Sequence, residues 1–557
     1  MTTPDRHSGA ARTAAMRWIA DDPHAGDRTE FQLLVSRAMG TDPAAIAEVG
    51  DRMVPLTFGT AGLRGPLRAG PGGMNLAVVR RTAAGLAAYL ARDGVHGTVV
   101  VGFDGRHRSA EFAADAAGVF AAAGFTALLA PGALPTPVTA YAVRALNAVA
   151  GVQITASHNP PQDNGIKVYL AGGAQLISPD DRLVEAAVTA TGPAVSIGAT
   201  GPVLPWPAEL LDDDVAAAAG AGGTIAPIAV RIAATSLHGV GGDTLVRTLR
   251  AAGFDDVRVV MAQAAPDGDF PTVAFPNPEE PGATDLLLAL AERVGADLAV
   301  ANDPDADRLA IGARFADGWR MLSGDETGCL LGDFLLGRMD RTAHPEPLVA
   351  TTIVSSTLLR TIAEAHHVRF AQTLTGFKWI VRAGDGAGTG LVFGYEEALG
   401  LCVQPDIVRD KDGISAAVVA AKLMATLKVA GRDIPAALDD LAVRFGLHVN
   451  DQLSFRVSDL TVIADAMRRL RATPPPTLLD DPVIESLDLR PATDALVYRT
   501  SRLRVVVRPS GTEPKLKCYL EAVAEKSDAA ADLETLRAGA RADLITLRRE
   551  LTAALGL

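Results

Sequence analysis

The sequence predicts an α/β protein of several domains: three similar α/β units with mixed or mainly parallel sheets, followed by a C-terminal α+β unit. Short β-branched apolar runs alternate with alanine- and leucine-rich stretches of helical length through most of the chain, the order that builds parallel sheets. A length of 557 residues exceeds what a single core fills and calls for about three to four domains. Beyond about residue 441 the alternation gives way to a strand, a helix, two strands flanking a turn and a charged terminal helix, an α+β order.

Taken in order, residues 76–90 form a helix, 98–101 a strand, 110–123 an alanine-rich helix, and a further strand runs through Leu128. The strand 148–155 leads into Ser157, which places that serine on a loop at a strand's carboxyl end, where α/β proteins gather ligands. From residue 116 to 143 no charge occurs, enough to span a bilayer by length. Pro131, Pro135 and Pro137 with Gly124 and Gly132 divide that stretch into helix, strand and turn, as in a buried core. The Gly/Pro-rich segment 191–207 reads as a crossing between domains. After it the pattern restarts with strand 228–234, helix 244–252, strand 257–263, helix 285–294 and strand 298–301. A third unit holds the apolar segment 348–354 and the helix 414–429. The domains expected are 1–207, 208–320, 321–440 and 441–557.

Composition excludes several classes. Charged residues make up 21% and apolar residues 48% of the chain, ordinary globular usage. A net charge of −13 disfavours nucleic acid and anionic membranes as partners, so any phosphate site must be built locally. Cys329, Cys402 and Cys518 are too few and too scattered for a disulfide framework or zinc cluster, and with no signal-like N-terminus they point to the cytoplasm.

Four segments carry chemistry. Thr155-Ala-Ser157-His158-Asn-Pro160, followed by Asn164-Gly-Ile-Lys167, offers a loop hydroxyl with a neighbouring imidazole and lysine, an activated nucleophile or else a capped turn. The Gly-x-Ser-x-Gly elbow of hydrolases is absent. Asn302-Asp303-Pro-Asp305-Ala-Asp307-Arg308 ends a strand and can converge three hard oxygen ligands on a divalent cation, and its spacing is not that of an EF-hand. Arg508-Pro-Ser510-Gly511-Thr512-Glu513-Pro-Lys515 combines two cations, two hydroxyls and a glycine, the makings of a phosphate cradle. Gly394-Tyr-Glu396-Glu397-Ala-Leu-Gly400 presents paired carboxylates that can accept hydrogen bonds from sugar hydroxyls.

These segments, in this order and one per unit, resemble the α-D-phosphohexomutase family of phosphoglucomutases and phosphomannomutases. Further pieces share the likeness: residues 58–65 including Arg64, Gly102-Phe-Asp104-Gly-Arg106, Thr235-Ser-Leu-His238-Gly239, Phe275-Pro-Asn-Pro-Glu279 and Thr375-Gly376-Phe-Lys378. The resemblance implies four domains around a central cleft, and a Ser157 that carries a phosphoryl group. It implies that Asp303, Asp305 and Asp307 hold Mg²⁺ beside that phosphate and that Arg308 neutralises the group in transit. Phosphate would pass between O1 and O6 of glucose through glucose 1,6-bisphosphate, which also serves as activator, with Glu396 and Glu397 gripping hydroxyls and the Arg508 loop holding the second phosphate. Lys167, with its pKa lowered by Arg64 and the metal, is the first choice for proton transfer. His158 is the alternative, or else orients the loop.

Ala398 follows the paired glutamates where many family members have serine, a likeness to a branch that includes phosphopentomutase-active members. Mannose and ribose phosphates are therefore alternative substrates. A metal-dependent phosphatase or kinase-like transferase is the competing enzyme class, although no nucleotide-binding P-loop occurs. A non-catalytic sugar-phosphate-binding protein is the third reading. Expected partners are small sugar phosphates, with the chain a monomer or homodimer.

Overall fold

The computed structural model describes residues 9–40, 42–59, 62–226, 228–457, 459–510, 515–524 and 532–556. The chain forms two compact units, one of residues 1–312 with 400–421, the other of 313–399 with 422–557.

The first unit opens with three helices absent from the sequence reading, Gly9–Asp21, Ala25–Met39 and Pro43–Arg52. Asp42 caps the third, its carboxylate accepting from the amides of Ala44 and Ala45. Phe31, Leu34, Val35, Ala45 and Val49 form their shared core. A six-stranded sheet follows, built from β1 (Leu63–Pro66), β2 (Thr98–Phe103), β3 (Thr126–Leu129), β4 (Ala150–Ile154), β5 (Asp163–Leu170) and β6 (Val203–Pro205), in the order β1-β5-β4-β2-β3-β6. β4, β2, β3 and β6 run parallel; β5 lies antiparallel to β4, and β1 to β5. The segment 191–207 is thus more than a crossing. Val203, Leu204 and Pro205 extend the sheet beside β3, and Trp206 is buried against Val138, Val143 and Tyr169, because an apolar Val-Leu-Pro-Trp run gains more from the sheet edge than from water.

The uncharged stretch 116–143 is core as expected: Ala116, Ala117, Val119, Phe120 and Ala127 are buried. Among the described residues no single helix is long and apolar enough to cross a membrane. A second sheet places β7 (Ile232–Thr235) between parallel β8 (Val257–Val259) and β9 (Leu298–Ala301), with β10 (Ala310–Phe315) antiparallel to β9. The strand expected over 257–263 stops at Val259 and continues as a 3-10 turn, Met261–Gln263. There Gln263 turns inward, its side-chain carbonyl accepting from Thr235 Oγ1 at 2.6 Å.

The second unit contains a parallel sheet in which Leu348–Thr352 lies between Arg369–Thr373 and Leu391–Glu396. The helix Gly324–Arg338 enters through a capping box of Ser323 and Glu326. Its C-terminal part is a wholly antiparallel five-stranded sheet in the order Leu447–Arg456, Lys515–Ala524, Leu503–Pro509, Leu496–Arg499 and Glu485–Asp488. Leu460–Ala472 and Leu533–Leu555 cover it through Met467, Leu470, Leu544, Leu547 and Leu551, which is the α+β unit expected. The buried pair Arg504 and Glu521, 3.0 Å apart, sits on neighbouring strands of this sheet.

Burial alone would raise the Glu521 pKa, but Arg504, His448 and Ser356 around it outweigh burial and hold it at about 2. A depressed carboxyl pKa stabilises the fold above the unfolded-state value of about 4.3, and that contribution is lost as pH falls toward 2. Glu521→Gln should therefore cost on the order of 3 kcal/mol at pH 7, with the gap to wild type closing between about pH 4.5 and 2. Urea unfolding midpoints across that range check it; a gap that is independent of pH contradicts it.

Candidate active site

The first unit gathers one buried cluster from three separated segments. Ser157 follows β4 on a loop that turns back through its own left-handed φ of 51°, and its amide donates to Thr155 Oγ1 at 2.9 Å. Arg106 holds this loop from beneath. Its guanidinium donates to the carbonyls of Ser157 (2.7 Å), Pro160 (2.8 Å), Asp163 (3.1 Å) and Asn159, and Asp104 lies 3.4 Å from its Nε. A planar five-donor fork can serve four carbonyls at once, one more than the three donors of a lysine can reach. Asp104 and Arg106 lie in the family-like piece Gly102-Phe-Asp104-Gly-Arg106, whose sequence alone does not show that they hold this loop.

The second segment is the turn after β9. Asp303, Asp305 and Asp307 are all fully buried, with one carboxylate oxygen of each within 4.8 Å of the others. The Arg308 amide donates to Asp303 Oδ1 at 3.1 Å, and Thr136 Oγ1 donates to Asp305 Oδ2 at 2.6 Å. Gly413 makes room for the turn, since a Cβ there would stand 2.1 Å from the Arg308 carbonyl oxygen. Ser157 Oγ donates to Asp303 Oδ2 at 2.7 Å and lies 3.2 Å from His158 Nδ1.

The third segment is β5. Paired with Gln153 of β4, Lys167 points inward, fully buried, and its Nζ donates to Asp305 Oδ2 and Asp307 Oδ2 at 2.6 Å each. Lys411 Nζ approaches Asp307 Oδ2 at 3.1 Å, a residue the sequence reading missed because it lies far along the chain. The only local signal is the charged run Arg409-Asp410-Lys411-Asp412 in otherwise apolar sequence. Arg64 on β1 donates to Asn159 Oδ1 at 3.2 Å, and Arg308 Nε stands 3.9 Å from Asp303 and 4.0 Å from Asp307.

Burial pushes the Lys167 pKa down, but the carboxylates of Asp305 and Asp307 overcome it and raise the pKa above its ordinary value, with Arg64 pulling against them. Burial, reinforced by Arg308, Arg64 and Lys411, pushes His158 well below its ordinary value. For Asp303, burial and the like charges of Asp305 and Asp307 raise the pKa. The Lys167 ammonium holds Asp305 down against burial.

The residues fit a divalent cation. Among the described residues Asp305 Oδ1 and Asp307 Oδ1 are buried with no hydrogen-bond partner, and an all-oxygen carboxylate set suits a hard cation that keeps open positions for phosphate oxygen.

The second unit carries the remaining candidates. Glu396 ends the strand Leu391–Glu396, and Glu397 Oε2 accepts from Thr352 Oγ1 (3.1 Å) and Ser355 Oγ (3.0 Å). The helix starting at Gly324 approaches this turn so closely that a Cβ on Gly324 would lie 1.9 Å from the Glu397 carbonyl oxygen. Thr375 and Gly376 lead into the short helix Phe377–Ile380, Gly376 with φ 112° and Lys378 buried. Arg508 ends the strand Leu503–Pro509 opposite Lys517, and the Ser510 amide donates to the Lys515 carbonyl at 2.8 Å. Gly511, Thr512, Glu513 and Pro514 lie outside the described residues, as do Thr60 and Ala61 of the segment that contains Arg64.

Arg106→Lys should loosen the serine loop while leaving the sheet intact. Amide hydrogen exchange over residues 155–163 should speed at least tenfold while β2 and β4 stay protected. Unchanged exchange in the loop contradicts the role given to Arg106.

The chain matches four family models: phosphoglucomutase/phosphomannomutase α/β/α domains I, II and III over residues 55–194, 215–314 and 323–444, and the C-terminal domain over 455–537. It is 42% identical over 460 residues to a "Probable phosphomannomutase" of Haemophilus influenzae, covering 81% of this chain and 93% of that protein. A "Phosphoglucomutase" of Staphylococcus epidermidis is 33% identical over 497 residues, 84% of this chain and 90% of the relative. A solved phosphoglucomutase/phosphomannomutase family protein from Burkholderia thailandensis shares the fold, with TM-score 0.68 at 20% identity over 90% of this chain and 98% of that one. With its four domain models matched in order and its relatives similar over most of their length, the chain belongs to the phosphoglucomutase/phosphomannomutase family and is a phosphohexomutase, an isomerase of the intramolecular phosphotransferase kind.

Proposed function

We propose that the protein interconverts glucose 1-phosphate and glucose 6-phosphate through a phosphoserine at Ser157 and a glucose 1,6-bisphosphate that also primes the serine. The observation that carries this reading is Ser157 Oγ, 2.7 Å from Asp303, on a loop held open by Arg106 beside three converging carboxylates. A hydroxyl so placed can accept a phosphoryl group and return it to either end of a sugar bisphosphate. Asp303, Asp305 and Asp307, with the Ser157 side chain, would hold Mg²⁺, which supplies charge neutralisation at phosphoryl oxygens when bound.

The chain's own residues do the rest. Arg308, 3.9 Å from Asp303 and 4.0 Å from Asp307, would add a fixed cation beside the transferring group. Lys167 enters as an ammonium between Asp305 and Asp307, which suits it to donating a proton to a departing sugar oxygen and to keeping both carboxylates ionised. His158, 3.2 Å from Ser157 Oγ and kept a neutral imidazole by burial among cations, is the alternative group for proton transfer, or else orients the loop. Arg64 fixes the far side of the serine loop through Asn159. Glu396 and Glu397 are assigned to sugar hydroxyls. Thr375, Gly376, Lys378, Arg508, Ser510, Gly511, Thr512 and Lys515 are assigned to the non-transferring phosphate and the sugar around it.

A second reading, mannose 1-phosphate and mannose 6-phosphate, is favoured by the 42% identity to a relative named for mannose. Ribose phosphate rests on Ala398 alone. Phosphorus NMR with Mg²⁺, a trace of glucose 1,6-bisphosphate and each sugar 1-phosphate in turn separates these readings. Conversion to the terminal-carbon phosphate is expected, fastest for glucose or mannose, and Ser157→Ala should lower it by at least about a thousandfold. Release of inorganic phosphate without isomer would instead mark a phosphatase, and binding without turnover a sugar-phosphate-binding protein.

A further inference from the structure

The second unit buries a polar network that the proposed chemistry does not use, and it ends on one of the assigned sugar ligands. Arg504 and Glu521 are 5% and 2% exposed, and such a pair is expensive to bury unless its remaining hydrogen bonds are satisfied. They are satisfied by one short segment, the turn after the strand Leu348–Thr352. Arg504 donates to the carbonyl of Ile353 at 2.8 Å and, through both terminal nitrogens, to that of Ser355 at 2.9 Å. Glu521 Oε1 accepts from Ser356 Oγ at 2.7 Å and from the Thr357 amide at 2.8 Å, and lies 3.0 Å from His448 Nδ1.

The opposite face of the same turn meets Glu397. Thr352 Oγ1 and Ser355 Oγ both donate to Glu397 Oε2, and each is also within 2.8 Å of the other. Ser355 is the shared residue: its carbonyl is gripped by Arg504 and its hydroxyl by Glu397. A charged clasp on the antiparallel sheet therefore sets the position of the hydroxyls that orient a carboxylate at the end of the parallel sheet. We propose that Arg504 and Glu521 are positioning residues for Glu397, acting through Ser355 to aim its carboxylate at the sugar, a role that rests on the reading of Glu397 as a sugar-hydroxyl ligand.

Two independent readouts test it on the full-length chain. One is calorimetric binding of glucose 1-phosphate and mannose 1-phosphate; the other is KM and kcat for whichever is turned over. Arg504→Lys and Ser355→Ala should each weaken binding and raise KM by about tenfold, the loss expected for one hydrogen bond to a charged group, with kcat changed less than threefold. Ser355→Thr, which keeps the hydroxyl, should restore wild-type values. The double variant Arg504→Lys/Ser355→Ala should be no worse than the weaker single variant, because the two act in series. If Arg504→Lys fails to fold, Ser355→Ala against Ser355→Thr still reads the aim of Glu397. Multiplicative losses, or a lowered melting temperature with Kd and KM unmoved, overturn the positioning role while leaving the mutase reading intact. A wild-type chain that neither binds nor converts either sugar phosphate strikes the functional reading, and the positioning role falls with it.

Discussion

Three carboxylates buried side by side are the constraint around which the first unit is arranged. Asp303, Asp305 and Asp307 are buried away from bulk solvent, and at a few ångströms in a low-dielectric interior their mutual repulsion is severe. The surrounding chain answers with cations: Lys167 between Asp305 and Asp307, Lys411 against Asp307, and Arg308 within 4.0 Å of both Asp303 and Asp307. Even so, burial and like charge still raise the Asp303 pKa, and Asp305 Oδ1 and Asp307 Oδ1 have no hydrogen-bond partner among the described residues. Carboxylate oxygens buried without a hydrogen bond, on three aspartates that converge, suit a hard divalent cation and the phosphate it accompanies.

The sheets deliver these groups. The serine loop leaves the carboxyl end of β4 and the aspartate turn leaves the carboxyl end of β9, each on a parallel strand where α/β proteins place their ligands. β5 then folds back antiparallel to β4, and its register opposite Gln153 turns Lys167 inward. One strand position away, that side chain would face the other side of the sheet. Arg106 serves the loop as Lys167 serves the aspartates, tying the carbonyls of Ser157, Asn159, Pro160 and Asp163 into a defined turn.

Much of this was legible in the residues. Ser157 and the aspartate run could be placed at strand ends because β-branched runs precede both, and the parallel core followed from the alternation of those runs with helices. What escaped depends on distance along the chain. Nothing near Lys411 announces that it reaches Asp307, and the pairing of Lys167 with two carboxylates exists only once β5 lies against β4. The helices over 9–52 were also missed, since their caps at His24 and Asp42 sit in a mixed, charged stretch whose apolar face shows only when the helices pack together. In the second unit, the link from Arg504 to Glu397 runs through a turn about 150 residues upstream, which no local pattern announces.

The central claim is that Ser157 carries the phosphoryl group beside the aspartate cluster. The most direct measurement is intact-mass spectrometry with peptide mapping after incubation with glucose 1,6-bisphosphate and Mg²⁺. The account predicts one added phosphate, located on Ser157, which is lost when excess glucose 1-phosphate is supplied and is absent in Ser157→Ala. A protein that turns over sugar phosphates with Ser157 unmodified, or that carries the phosphate on another residue, would contradict it.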